Sequence, residues 1–156
     1  VSTHDEIRGV LIRAGTTQLL LPNASISEVL SYSPPEAVAD APDWLLGRLR
    51  WRGWRLPLVA FPVLAGQGDE RADLSSKVVV LKALGGDARL PFFALLTEGF
   101  PRLVTIAADK LLDESQGDDE EALPFAVRAR VRLNDDVALI PDIDRIELSV
   151  REALAA

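Results

Sequence analysis

The chain has 156 residues, 48% of them hydrophobic, and a formal net charge of −7. That length suits one domain with a real core, since a chain of about 150 residues buries roughly 68–70% of its unfolded surface. It holds no cysteine and one histidine, His4 near the N-terminal end, which excludes disulfides, thiolate metal centres and a cysteine nucleophile and leaves the interior without its usual general base.

The remaining bounds concern location and partners. The acidic balance repels nucleic acid from any face that is not locally basic. No apolar run approaches the ~18 residues of a bilayer span. No basic-then-apolar leader opens the sequence. These features read as a soluble cytoplasmic chain.

In chain order, Arg8–Arg13 and Thr17–Pro22 read as strands around a turn at Ala14-Gly15-Thr16. Ala24–Leu30 alternates, which sets Ile26 and Glu28 on one face and Ser27 and Val29 on the other. Ser33–Pro42 carries three prolines and reads as a loop. Asp43–Leu64 predicts two strands joined by a tight turn at Arg52-Gly53, with Gly53 supplying a positive φ. Before that turn Leu49 and Trp51 share one face and Arg48, Arg50 and Arg52 the other; after it Trp54, Leu56 and Leu58 continue an apolar strand. The tryptophans are therefore assigned mainly to the core.

Gly66–Ser76 is polar and reads as an exposed loop with slack. Lys77–Leu84 and Arg89–Thr97 predict a hairpin around Gly85-Gly86-Asp87-Ala88, and Phe100–Ala107 a separate strand. Ala108–Ser115 reads as a short helical turn and Gly117–Glu121 as a solvated charge block. Phe125–Leu133 alternates apolar residues with Arg128, Arg130 and Arg132, a turn follows at Asn134-Asp135-Asp136, and Val137–Pro141 is a last strand. Ile143, Ile146, Val150 and Leu154 then recur at helical spacing, predicting a helix over 142–153. About ten short strands imply an all-β sandwich or barrel.

Catalytic motifs are missing. The glycines at 85 and 86 are not followed by Lys-Ser or Lys-Thr, and no Gly-x-Ser-x-Gly elbow occurs. Asp142 and Asp144 suit a helix N-terminus better than a magnesium site, because no further oxygen ligands stand near them. Asp118–Glu121 lacks the spacing of a calcium loop. The reading is a non-enzyme with no cofactor and no metal. Arg48, Arg50, Arg52 and Arg55 interleave with Trp51 and Trp54, so a nucleic-acid-binding β-barrel is the alternative function, disfavoured by the net charge and by Trp51 facing away from the arginines. Glu28 needs a cationic partner, and Arg52 or a neighbouring arginine is the obvious one.

The order of ISEV (26–29), a Pro- and Ala-rich stretch ending in APDWLLG (41–47), RWRG (50–53), LPLVAF (56–61), FFALLTEGFPRLVTI (92–106) and LIPDIDRI (139–146) resembles the CheW-like chemotaxis coupling family. The wording of LLLPNASISEV, APDWLLGRLRWRG and the ALGG–FFALL region is most similar to the ChpC-type branch, from chemosensory systems of type IV pili and twitching motility. The resemblance implies two interlocked five-stranded SH3-like barrels with a short C-terminal helix, one domain over 1–156. It implies an adaptor that joins a chemoreceptor cytoplasmic tip to the regulatory domain of a CheA-like histidine kinase. The receptor hairpin would lie in the groove between the barrels and the kinase would meet barrel ends, with no nucleic acid and no membrane insertion. Carried over by motif, the partner-binding residues are Glu28, Val29, Gly47, Arg52 and Gly53. The chain departs from the family pattern at Ala60-Phe61 and at Thr97-Glu98-Gly99-Phe100.

Overall fold

The computed structural model describes residues 6–69, 72, 73, 75–107, 111–113, 123–133 and 136–155. The strands are β1 (Glu6–Ala14), β2 (Thr17–Pro22), β3 (Ile26–Ser31), β4 (Leu45–Trp51), β5 (Trp54–Val59), β6 (Ser76–Lys82), β7 (Phe92–Ala107), β8 (Leu111–Asp113), β9 (Val127–Leu133) and β10 (Asp136–Pro141). A 3-10 turn covers Asn23–Ser25, α1 covers Phe61–Leu64 and α2 covers Ile143–Ala155.

The hydrogen-bond ladder runs β3-β6-β7-β1-β2-β10-β9-β8, with β5 joined to β7 and β4 to β5. Strand β7 is 16 residues long and serves both halves of the molecule. Its first part pairs with β6 and β5, and its second part with β1. The first barrel therefore holds β3, β4, β5, β6 and the start of β7. The second holds the rest of β7 with β1, β2, β10 and β9, and the short β8 on its outer edge.

Alternation along these strands builds three cores. Val78, Val80, Ala94 and Leu96 point into the first barrel with Leu49 and Leu58. Leu11, Leu20, Val131, Leu133 and Ala138 fill the second. The intervening residues Val10, Ile12, Val79, Leu81, Phe93 and Leu95 meet between the barrels, where Ile146 and Val150 of α2 join them. Strands buried on both faces explain the unbroken apolar runs VVVL and FFALL, which a half-solvated sheet would not tolerate. Glu147 of α2 is buried beside this shared core, and its carboxylate accepts backbone N–H bonds from Leu84 (3.3 Å) and Gly85 (2.9 Å). Asp142 caps α2, its Oδ1 accepting the Arg145 N–H at 3.1 Å, as expected of a carboxylate at a helix N-terminus.

Several sequence expectations give way to tertiary structure. The segments 89–97 and 100–107, expected as two strands, form one. Between the pairs Arg13↔Glu98 and Leu11↔Arg102, the three residues Gly99, Phe100 and Pro101 stand opposite Ile12 alone. Gly99 adopts φ 68°, and Pro101 needs no ladder partner there, so two apparent strand breakers instead make the bulge that carries β7 from one barrel to the other. A second irregularity falls between Ile26 and Glu28, which pair with the consecutive residues Leu81 and Val80. The extra residue Ser27 breaks the alternation. Ile26 consequently packs with Val29 against the shared core, rather than sharing a face with Glu28.

The apolar strand after Arg52-Gly53 ends at Val59, and Phe61–Leu64 turns into α1, buried at Phe61 and Pro62. Trp54 is 39% exposed, against its assignment to the core. Gly66 adopts φ 71° with nothing near the position of a Cβ, so a side chain there would meet backbone strain but no neighbour. Leu111–Asp113 is strand where a helical turn was expected. The charge block at 117–121 and the turn residues 134 and 135 lie outside the described residues.

Candidate partner-binding surface

The β4–β5 hairpin turns on Arg52 (φ 49°) and Gly53 (φ 80°). Two consecutive positive φ values are the mark of a type I′ turn, whose twist matches that of the flanking strands. Arginine is an unusual occupant of such a position. The turn places the Arg52 guanidinium over the Trp51 ring, 4.9 Å from its centroid, and lets Nη2 donate to Glu28 Oε1 at 2.7 Å. Glu28 lies on β3 and Arg52 just past β4. These strands share no ladder: β3 pairs with β6, and β4 with β5. They are the two edges of the first barrel, and the ion pair spans them.

The chain leaving β3 crosses back to the same edge. Glu36 exchanges backbone hydrogen bonds with Arg48, at 2.9 and 2.8 Å, and its carboxylate meets Arg50 Nε at 3.3 Å. Gly47 makes this crossing possible. It adopts φ 144°, and a Cβ there would sit 2.9 Å from Pro35 Cβ and still closer to the Glu36 carbonyl oxygen. Arg50 and Arg52 are occupied by carboxylates and Trp51 is buried, which leaves Trp54 and Arg55 as the exposed aromatic and cation of the hairpin and disfavours it as a stacking platform for nucleic acid.

A different surface lies where β7 changes barrels. Val10, Ile26, Val29, Phe100, Pro101 and Leu103 line a groove of about 290 Å³, with Asn23 as its one polar residue among those described. Phe100 is 77% exposed and Leu103 73%. Both stand on the wall made by the bulge, while Ile26 and Val29 form the floor through their packing on the shared core. No three of the His, Asp and Glu side chains gather as a metal site among the described residues. No helix among them is long and apolar enough to cross a membrane.

Residues 8–149 match the sequence model of the CheW-like domain. The chain belongs to the CheW-like family. No curated protein matches it by sequence. Among solved structures, the scaffolding protein TtCheW from Thermoanaerobacter tengcongensis is similar with a TM-score of 0.71, covering 88% of this chain and 89% of that one at 14% identity. At that identity the likeness establishes the fold.

In this CheW-like chain the five residues singled out by motif fall into three places. Glu28, Arg52 and Gly53 meet at the tip of the first barrel. Val29 lines the groove. Gly47 reaches neither surface directly and instead admits the Glu36 crossing. Ile26, Phe100 and Leu103 were missed as site residues. One signal for the last was present: Leu103 is out of phase with Val104 and Ile106, which pack in the second barrel.

Proposed function

We propose that this CheW-like chain is a non-enzymatic cytoplasmic adaptor. It couples the cytoplasmic tip of a chemoreceptor to the regulatory domain of a CheA-like histidine kinase, acting as one domain over 1–156. The observation that carries the reading is the groove at the barrel junction. Its floor is apolar, and its wall presents Phe100 and Leu103 almost fully to solvent. Exposed large apolar side chains around a concave strip mark a protein-docking site, and a strip of this kind takes the apolar ridge of a helix. Glu28 lies between the groove residues Ile26 and Val29 along β3 but does not line the groove; its side chain is engaged by Arg52 across the two edges of the first barrel, and we assign that edge to the kinase.

The similarity to the ChpC-type branch supports placement in a chemosensory system that controls type IV pili and twitching. Signalling contacts of this kind bury less than about 1,200 Å² each. The test is titration of the purified chain with a receptor-tip hairpin and, separately, with the kinase regulatory domain. Phe100→Ser is expected to abolish the first interaction and spare the second. Loss of twitching but not of swimming on deletion of the gene would support the pilus assignment; the reverse would reject it.

A further inference from the structure

Phe100 borders two surfaces. Beyond the groove it also lines a basin of about 580 Å³ at the mouth of the second barrel, together with Arg13, Gln18, Arg102, Asp136 and Val137. The β7 bulge creates this neighbourhood. Arg13 and Arg102 are the residues whose pairings flank it, Arg13 opposite Glu98 and Arg102 opposite Leu11. Arg102 is in phase with Val104 and Ile106 of the second-barrel wall, so it stands at the rim of that barrel while Leu103 turns to the groove.

Charge in the basin runs against that of the chain. Arg13 and Arg102 are exposed, and neither makes an ion pair among the described residues. Asp136 is the only carboxylate among the lining residues described. Glu98 opposes Arg13 across the ladder without closing to ion-pair distance. By contrast, Arg50 and Arg52 on the hairpin are both matched by glutamates. Two unmatched guanidinium groups beside an exposed aromatic ring, in a chain of net charge −7, form a receptor for a carboxylate attached to something apolar.

We infer that the basin reads an acidic side chain carried by the same partner that fills the groove. The carboxylate would lie one or two helical turns, about 5–11 Å, past the apolar contact with Phe100. This rests on the adaptor reading and adds a specificity rule to it: the groove selects a helical ridge, and Arg13 with Arg102 selects the ridge flanked by Asp or Glu. Continuity through Phe100 favours the receptor over the kinase as the source of that carboxylate. Exposed charge pairs of this sort govern partner choice and association rate more than raw affinity.

The experiment titrates the full chain with a receptor-tip hairpin from the same organism at several salt concentrations. Phe100→Ser serves as the groove control and Arg13→Glu, Arg102→Glu and Arg102→Gln as the basin variants. Binding is expected to weaken about five- to tenfold in each charge reversal at low salt, less in Arg102→Gln, with the difference shrinking as salt rises. Replacing the flanking acidic residue of the hairpin by Lys should restore binding to Arg102→Glu. If Phe100→Ser loses the hairpin while both reversals keep its affinity and salt slope, the inference is overturned and the adaptor reading stands. If Phe100→Ser binds normally, the adaptor reading of the groove fails and the inference with it. If the reversals weaken the kinase domain but not the hairpin, the inference is also overturned. Unchanged melting of the exposed-site variants guards against misfolding as the cause.

Discussion

The tip of the β4–β5 hairpin and the groove beside Phe100 are built by opposite means. The tip is polar and is drawn from one half of the fold, β3 to β5. It is fixed by a type I′ turn and by ion pairs from Arg50 and Arg52 to Glu36 and Glu28. The groove is non-local and apolar, assembled from β1, β3 and β7, and its shape depends on irregularities in β3 and β7. Damage to the tip should therefore show as altered barrel stability together with altered binding. Damage to the exposed wall of the groove, Phe100 and Leu103, should alter binding alone.

The strongest test of that contrast is Gly47→Val. The side chain would meet the Glu36 carbonyl and Pro35 at a backbone angle that suits glycine. Strain and overpacking together should cost about 4 kcal/mol, read as a fall in the urea midpoint. Gly53→Val and Gly66→Val have positive φ but open space, and should each cost about 1–2 kcal/mol. Equal midpoints for all three would break the claim that the Glu36 crossing holds the first barrel's edge.

Phe100→Ser tests the other side. Stability should change by no more than about 1 kcal/mol, because the ring is exposed and loses only its contact with Lys77 Nζ, 4.8 Å from the centroid, while receptor-hairpin binding should lose about 2 kcal/mol or more as for a central aromatic anchor. A large drop in melting temperature would show the ring to be structural.

A double-mutant cycle on Glu28→Gln and Arg52→Gln should give a coupling of about 0.2–1 kcal/mol. The two side chains are 34% and 69% exposed, so the coupling should shrink at high salt. Zero coupling at low salt would separate the two roles.

The smallest effect belongs to Asp87, away from both surfaces. The Arg89 N–H bonded to its carboxylate, aided by the Arg89 and Arg151 charges, holds its pKa below the usual carboxylate range. A depressed folded-state pKa adds stability above the unfolded value, and this is lost as pH falls through the folded one. Asp87→Asn should therefore be slightly less stable than the parent at pH 7, with the gap closing below about pH 4. A gap that persists in acid would assign the effect to something other than charge.

What could be read from the sequence follows the same division. The hairpin turn was legible because alternation and a glycine are short-range signals, and α2 was legible from its spacing; for Glu28 the sequence offered Arg52 or a neighbouring arginine, and only the closing of the first barrel's two edges selects Arg52. Trp54 was misassigned because it follows the alternation but lies at the end of its strand, where no opposite wall covers it. The face of Ile26 was misread because nothing in Ile-Ser-Glu-Val announces an extra residue at Ser27. Gly99 and Pro101 signal a break in any local reading, and only β1 on the other side of the bulge shows that the strand continues. The groove inherits these two errors, so its walls could not be assembled from the sequence.

The shared strand also orders events during synthesis. The first barrel, from Ile26 to the bend at Gly99, is nested inside the sequence of the second, whose β1 and β2 emerge first and β9 and β10 last. A ribosome releasing the chain can complete the first barrel while β1 and β2 still wait for the strands that close their own. In that interval the faces of Leu11 and Leu20, later enclosed by Val131 and Ala138, stand open to solvent. The nascent chain is then most exposed to unwanted association. The core between the barrels is enclosed only with α2 in place, where Glu147 reaches back 62 residues to Gly85.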